Sequence, residues 1–361
     1  MPAPKEKAHY FYANQLKTKE VPALNPFAKF FCGLLLCCFA AFAQATAKAK
    51  TPPFSTSPEV QAFIAEMHAQ HGFDPGLLNR QFSAIRPNAT VLRAIRPAAV
   101  PELQRSWQRY RERFVNERRV RNGVRFWHEH ATDLTRAEAI YGVPCEIIVA
   151  IIGVETEYGQ NMGKFGVLEA LASLAFNYPP RAPFFRNELE QFLLLARENE
   201  QSPLDYKGSY AGAIGIPQFM PSSQRRYAVD FDGDQHIDLR RSTADAIGSV
   251  ASFISLHGWQ TGAPIALPAL VQGDPAELIA AGIKPILPLK DLLQQDIVVP
   301  EAEEHLHTRP AALIDLVSPE QPTEYWVGFD NFYVITRYNR SSFYAMSVFQ
   351  LAQALRQEMG R

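Results

Sequence analysis

Disulfide chemistry is nearly absent from this chain. Its 361 residues include four cysteines, and three of them, Cys32, Cys37 and Cys38, crowd into one short apolar run near the N-terminus. Without that run Cys145 stands alone, so no intramolecular disulfide can form and a sizeable hydrophobic core must hold the fold. Long hydrophobic stretches are missing too. The run from Phe30 to Phe42 in "FFCGLLLCCFAAFAQATAKAK" falls short of the ~20 apolar residues of a membrane span. Nor does one sign of charge prevail: 36 basic residues face 37 acidic ones, with no strong basic block, which excludes a nucleic-acid partner. Internal repeats and low-complexity tracts are also lacking. The remaining composition, 47% hydrophobic and 20% charged, is that of an ordinary soluble globular protein.

Lys5, Lys7, Lys17, Lys19 and Lys29 precede the apolar run, and small-residue A-x-A patterns follow it at Ala41–Ala43 and Ala45–Ala47. This order is that of a cleavable signal peptide, expected over residues 1–43; an uncleaved anchor is the alternative. Leu36 before Cys37 and Phe31 before Cys32 are not the small residues that lipidation requires, so no lipid anchor is expected. A large exported protein without disulfides fits a bacterial periplasm. Residues 44–57, rich in Ala, Lys, Thr, Pro and Ser, read as a flexible tether.

From residue 58 to about 200 the pattern is helical. Ser57 caps "SPEVQAFIAEMHAQHGF", and Asp74 with Pro75 opens "DPGLLNRQFSAI". "FWHEHATDLTRAEAIYGV" closes at Gly142, and Pro144 opens an apolar helix ending at "IIGVETEYG", with Gly159 as its expected stop. Further helices are expected in "APFFRNELEQFLLLARENE", in "TADAIGSVASFISLHGW" and from Ser342 to Met359. Between about 262 and 335 short apolar segments are broken by Pro and Gly, and "EYWVGFDNFYVITRY" alternates like strands. The expected fold is α+β, mainly α: a helical region over 58–261, a small mixed lobe over 262–335, and a C-terminal helix over 336–361 that returns to the core.

Two acids end the apolar helix. Helical spacing puts Ile148, Ile151 and Ile152 on the side of Glu155, while Glu157 lies about 200° further round and is expected to face water. Apolar surroundings and the negative end of the helix both raise a carboxyl pKa, which suits a general acid. Physics alone assigns such an acid to structure as readily as to catalysis. "GSYAGAIGIPQFMPSS", Gly208 to Ser223, sets Ser209 and Gln218 among small and apolar neighbours, as a groove wall or a tight turn would. "DFDGDQHIDLRRSTAD" then places Asp230, Asp232 and Asp234 at alternate positions, with His236 and Asp238 after them, as in a calcium loop. It departs from the EF-hand form at its sixth position, Gln235, and its twelfth, Arg241; Asp245 on the following helix can close the site instead.

These motifs, together with "AIIGVETEYGQNMGKFGVLEALASLAFNYPPRAPFF", "NGVRFWHEHATDLTRAEAIYGVP" and "YVITRYNRSSFYAMSVFQLAQAL", resemble the lytic murein transglycosylase B family from about residue 60 to 357. The resemblance implies a goose-lysozyme-like helical core carrying an EF-hand-like calcium loop over 230–245. It implies that Glu155, first acid of the V-E-T motif, is the single catalytic acid/base, and that Glu157 stands where the motif fixes nothing. Ser209, Gln218, Tyr338, Asn339 and Tyr344 match substrate-groove positions. Arg181 in "YPPRA" matches a muropeptide contact, with Pro180 where a second basic residue is expected. Asp230, Asp232, Asp234, the His236 carbonyl and Asp245 match calcium ligands, with one extra residue between Asp238 and Asp245. The implied activity cleaves the N-acetylmuramic acid–N-acetylglucosamine bond of peptidoglycan and leaves 1,6-anhydro ends. Calcium is the only implied cofactor. Glycan strands and other cell-wall enzymes are the implied partners of a monomeric mature form. A hydrolytic lysozyme, a silent murein-binding protein and a calcium sensor are the rival readings.

Overall fold

The computed structural model describes residues 51–97, 106–319 and 321–360. The expected signal peptide, 1–43, and residues 44–50 of the expected tether lie outside the described residues. Order begins earlier than the tether's expected end at Ser57. Phe54 is buried, its ring 6.1 Å from that of Phe176, and Phe54–Thr56 form a 3-10 turn. Burying one phenylalanine is worth ~1.5–3 kcal/mol, enough to fix the residues beside it.

Local signals set most helix ends. Asp74 accepts the Gly76 amide at 2.7 Å and Pro75 starts the helix Pro75–Ser83. Ser57 precedes Pro58–His71, but its hydroxyl makes no cap bond. "FWHEHATDLTRAEAIYGV" forms two helices rather than one, Glu117–Glu129 and Ala131–Tyr141, because His130 leaves helical geometry; Gly142 ends the second in the left-handed conformation.

The apolar helix Cys145–Thr156 lies at the centre. Every residue in it is buried except two glutamates, Glu146 in its first turn and Glu155 in its last. A helix apolar all round must be enclosed on all sides. Glu117–Glu129, Ala131–Tyr141, Thr243–Leu256 and the C-terminal helix Ser342–Glu358 surround it in one continuous core. A second cluster joins Pro58–His71, Pro75–Ser83, Val167–Asn177 and Ala182–Glu198 around Phe63, Phe82, Leu171 and Phe192.

Strands are few. β1 (Phe165–Gly166) pairs antiparallel with β2 (Lys207–Gly208) beside the helical core. The mixed lobe holds an antiparallel sheet of β3 (Ala266–Val271), β4 (Leu287–Pro288), β5 (Ile297–Val298), β6 (Pro310–Ser318) and β7 (Gln321–Gly328), in the order β4-β6-β7-β3-β5. The strand-like reading of "EYWVGFDNFYVITRY" holds only to Gly328. Asp330–Tyr338 is a helix, and its Phe332, Val334 and Ile335 join the central core rather than the sheet, so the lobe ends before residue 335. This helix and the next deliver Tyr338 and Tyr344 to the C-terminal end of the central helix. Among the described residues no single helix is long and apolar enough to cross a membrane.

Candidate active site and metal loop

Glu155 sits in the last turn of the central helix. Ile148, Ile151 and Ile152 beneath it are fully enclosed, as their spacing predicts. Burial pushes its carboxyl up to about 7, and one hydrogen bond opposes the rise: the Tyr344 hydroxyl donates to Glu155 Oε1 at 2.7 Å. Tyr344 is itself buried in the first turn of Ser342–Glu358, a helix capped by Ser341, whose hydroxyl accepts the Tyr344 amide. Its ring stacks on that of Tyr338, 6.3 Å between centroids and 13° from parallel. Burial and the neighbouring Glu155 charge hold the Tyr344 and Tyr338 hydroxyls well above their ordinary range, so both remain donors. A third phenol belongs to this group. Tyr110, on the helix Trp107–Phe114, is pushed up to about 12 by burial and by Glu155, against the pull of Arg113.

The Tyr338 hydroxyl donates to the Pro217 carbonyl at 2.6 Å, which ties this aromatic wall to the turn carrying Gln218. Gln218 adopts φ 52° and its amide donates to the Met162 and Gly215 carbonyls at 3.1 and 2.9 Å. Ser209 Oγ accepts the Ala211 and Ala213 amides. Both side chains thus shape turns, and both also line a cavity of about 500 Å³ with Asn161, Lys164 and Tyr210. Gly163 forms one edge of it at φ 90°; a Cβ there would stand 2.1 Å from the Gly208 carbonyl, so only glycine permits this approach. Asn339 ends the helix Asp330–Tyr338, exposed, with its carbonyl accepting the Ser341 amide. Arg181 does not line the cavity: its guanidinium lies over Phe184 and Phe185, at 4.5 and 5.1 Å.

The second acid corrects two expectations. The central helix stops at Thr156 rather than Gly159, and Glu157 takes the left-handed cap position at φ 52°. Its amide returns to the Gly153 carbonyl at 3.1 Å, and that of Tyr158 to Ile152 at 3.4 Å. Glu157 does not face water. It is 6% exposed, with Arg118 Nη2 at 3.1 Å, Arg119 Nη2 at 3.8 Å and Asn122 Nδ2 at 3.4 Å. The turn at Thr156 swings the side chain out of the helical 100° progression and toward the helix Glu117–Glu129. A signal for this was present: Arg119 shares a helical stripe with buried Gly123 and Phe126, and a charge on such a stripe calls for a buried partner.

In the acidic loop, carboxylate oxygens of Asp230, Asp232 and Asp245 lie within 4.8 Å of one another. Asp234 and His236 are outside that group. Asp234 accepts the His236 amide at 2.8 Å and its own amide donates to Asp232, while His236 is exposed. Asp245, buried on Thr243–Leu256, accepts the amides of Phe231 and Asp238 at 2.8 Å each, tying the loop to the helix. Burial raises its pKa, whereas the Ser242 hydroxyl lowers that of Asp232. Three clustered carboxylates without a paired lysine or arginine among the described residues suit a hard divalent cation with oxygen ligands.

A family profile described as Transglycosylase SLT domain matches residues 55–353. The chain belongs to this family. It is 43% identical over 322 residues to the membrane-bound lytic murein transglycosylase B of Escherichia coli (strain K12), covering 84% of each chain. The crystal structure of the soluble lytic transglycosylase SltB1 from Pseudomonas aeruginosa, 46% identical, is similar with a TM-score of 0.77 over 84% of this chain and 100% of that one. The Escherichia coli lytic transglycosylase Slt35 in complex with calcium, 42% identical, gives a TM-score of 0.75 over 86% and 96%. The expected family and its lysozyme-like, mainly helical fold are therefore borne out.

Proposed function

We propose that this family member cleaves the β-1,4 bond between N-acetylmuramic acid and N-acetylglucosamine in peptidoglycan, closing a 1,6-anhydro ring on the muramyl residue. One observation carries the reading: a lone carboxyl, raised to about 7 by its apolar seat, has a phenol as its only hydrogen-bond partner among the described residues. Glu157, the nearest acid in sequence, is turned away and gripped by arginines. Most glycosidases that use water or a protein nucleophile pair two carboxyl groups about 5–9.5 Å apart. A single acid suits a reaction whose nucleophile the substrate supplies.

Protonated Glu155 gives its proton to the glycosidic oxygen as the C1–O bond breaks, and the leaving sugar departs with a free 4-hydroxyl. The muramyl N-acetyl oxygen bonds to C1 in its place. The C6 hydroxyl of the same sugar then displaces that oxygen, and ionised Glu155 takes the hydroxyl proton. Protons balance and no water enters. A carboxyl with pKa near 7 works in both directions at neutral pH. The enclosed Tyr110–Tyr338–Tyr344 wall favours this outcome by excluding water. Ser209, Gln218, Tyr338 and Asn339 are the sugar-binding positions of this reading, with Arg181 as a peripheral muropeptide contact.

Calcium is held in this reading by Asp230, Asp232, Asp234, the His236 carbonyl and Asp245. It fastens the loop to Thr243–Leu256 and takes no part in bond cleavage. Export by the expected signal peptide places the mature protein, without a lipid anchor, in the periplasm beside its glycan substrate, as a monomer that works with other cell-wall enzymes. The test is Glu155→Gln on purified sacculi: the variant stays folded and releases no soluble fragments, whereas near-wild-type release removes Glu155 from its role.

A further inference from the structure

Glu157 is the one charged side chain at the end of the central helix that the reaction does not use. We propose that Glu157, Arg119 and Tyr158 form a positioning unit that fixes the backbone on both sides of Glu155; this rests on the reading of Glu155 as the acid. A single guanidinium reaches both flanks. Arg119 Nη1 donates to the carbonyl of Gly153, two residues before Glu155, and its Nη2 lies 3.8 Å from the carboxylate of Glu157, two residues after. Arg119 is 8% exposed, so this staple lies inside the protein, where an ion pair is weakly screened. Arg118 and Asn122 complete the grip on Glu157 from the same helix.

Tyr158 locks the staple from the other side. Its hydroxyl donates to the Arg119 carbonyl at 2.9 Å. The ring end occupies space that two glycines leave open: a Cβ on Gly123 would stand 2.4 Å from the Tyr158 hydroxyl, and one on Gly153 2.6 Å. Both glycines lie inside helices, where glycine weakens the helix and is kept only for a reason such as this close approach. Glu157 and Tyr158 are consecutive non-glycine residues at φ 52° and 63°, a strained pair that persists only when its surroundings hold it. Helix ends normally fray. This one carries a proton donor that must meet the Tyr344 hydroxyl on one side and a glycosidic oxygen on the other. A unit that forbids fraying within two residues of Glu155 therefore acts on the reaction through Glu155, without touching substrate.

The test uses Glu157→Gln and the milder Tyr158→Phe, which removes one hydroxyl, with Arg121→Ala on the exposed side of the same helix as control. Turnover is measured on soluble glycan oligomers prepared from peptidoglycan, with folding followed by thermal melting. Misplacing a reacting group by about 1 Å costs about 10²-fold, so Glu157→Gln lowers kcat by that order while KM stays unchanged. Tyr158→Phe lowers kcat less, and Arg121→Ala leaves it alone. Because Glu157 and Tyr344 both act through the Glu155 carboxyl, the loss in the Glu157→Gln/Tyr344→Phe double variant is smaller than the two single losses combined. Wild-type kcat in folded Glu157→Gln and Tyr158→Phe overturns the proposal. So does a loss that follows only the unfolded fraction, or one fully additive with Tyr344→Phe. Should Glu157→Gln fail to fold, Tyr158→Phe decides alone. Glu155→Gln separates the two readings: it is inactive if Glu155 is the acid, whatever Glu157 does, and retained activity there defeats the acid assignment itself.

Discussion

Replacing Tyr344 by phenylalanine deletes the only hydrogen bond among the described residues that holds the Glu155 pKa down. The ring is buried and stacked on Tyr338, and its hydroxyl serves Glu155 alone among the described residues, so phenylalanine fits without repacking. A hydrogen bond to a charged group contributes about 1.5–3 kcal/mol. At 1.36 kcal/mol per unit, losing it raises the Glu155 pKa by about 1–2 units. The direction is fixed by which form the bond favours: Tyr344 stabilises the carboxylate, so its removal favours the acid. A general acid loses activity as pH rises through its pKa. The basic limb of kcat/KM therefore lies near 7 in the wild type and moves upward by about 1–2 pH units in Tyr344→Phe. The plateau also falls, because the carboxyl is less well aimed. The assay is release of soluble fragments from sacculi between pH 5 and 10, corrected for enzyme stability at each pH. A basic limb that stays put or moves down refutes the reasoning, since it means the phenol does not favour the ionised acid.

Three further outcomes follow from the same structure. The folded-state pKa of Glu155 lies above the unfolded value of 4.5, so ionising it costs stability as pH rises from about 4.5 to about 7. Denaturant titration should then find Glu155→Gln more stable than wild type above pH 7, by at most about 3 kcal/mol, and equal to it below pH 4; equal stability at both ends contradicts the desolvation account. Calcium at about 100 times its Kd should stabilise the fold by about 2.7 kcal/mol and Asp245→Asn should abolish the gain, whereas a melting temperature indifferent to chelator rules out a stabilising loop. Gly153→Ala drives a methyl group into the Tyr158 ring and should cost about 1–3 kcal/mol by thermal melting; an unchanged melting temperature denies the tight packing.

Features encoded within a few residues were legible in the sequence. The Asp74–Pro75 helix start, the Gly142 stop and the isoleucines beneath Glu155 all follow from spacing along one helix. Of the expected Asp230, Asp232, Asp234, His236 and Asp245, the structure clusters three carboxylates, those of Asp230, Asp232 and Asp245. What escaped depended on distant chain. Glu157 looked exposed by helical phase, yet its partners stand 39 and 38 residues upstream on another helix. Tyr110 carries no motif of its own and joins Glu155 only through the packing of Trp107–Phe114. Asp330–Tyr338 alternates like a strand in sequence, but the core it enters is helical and selects its Phe332–Ile335 face.

The central claim is that one carboxyl suffices because the substrate supplies the nucleophile. Mass spectrometry of the products released from purified sacculi by the wild-type enzyme tests it most directly. Muropeptides ending in 1,6-anhydromuramic acid, each lighter by one water than its reducing-end counterpart, are the predicted result; reducing-end products alone would make the protein a hydrolase and contradict the account.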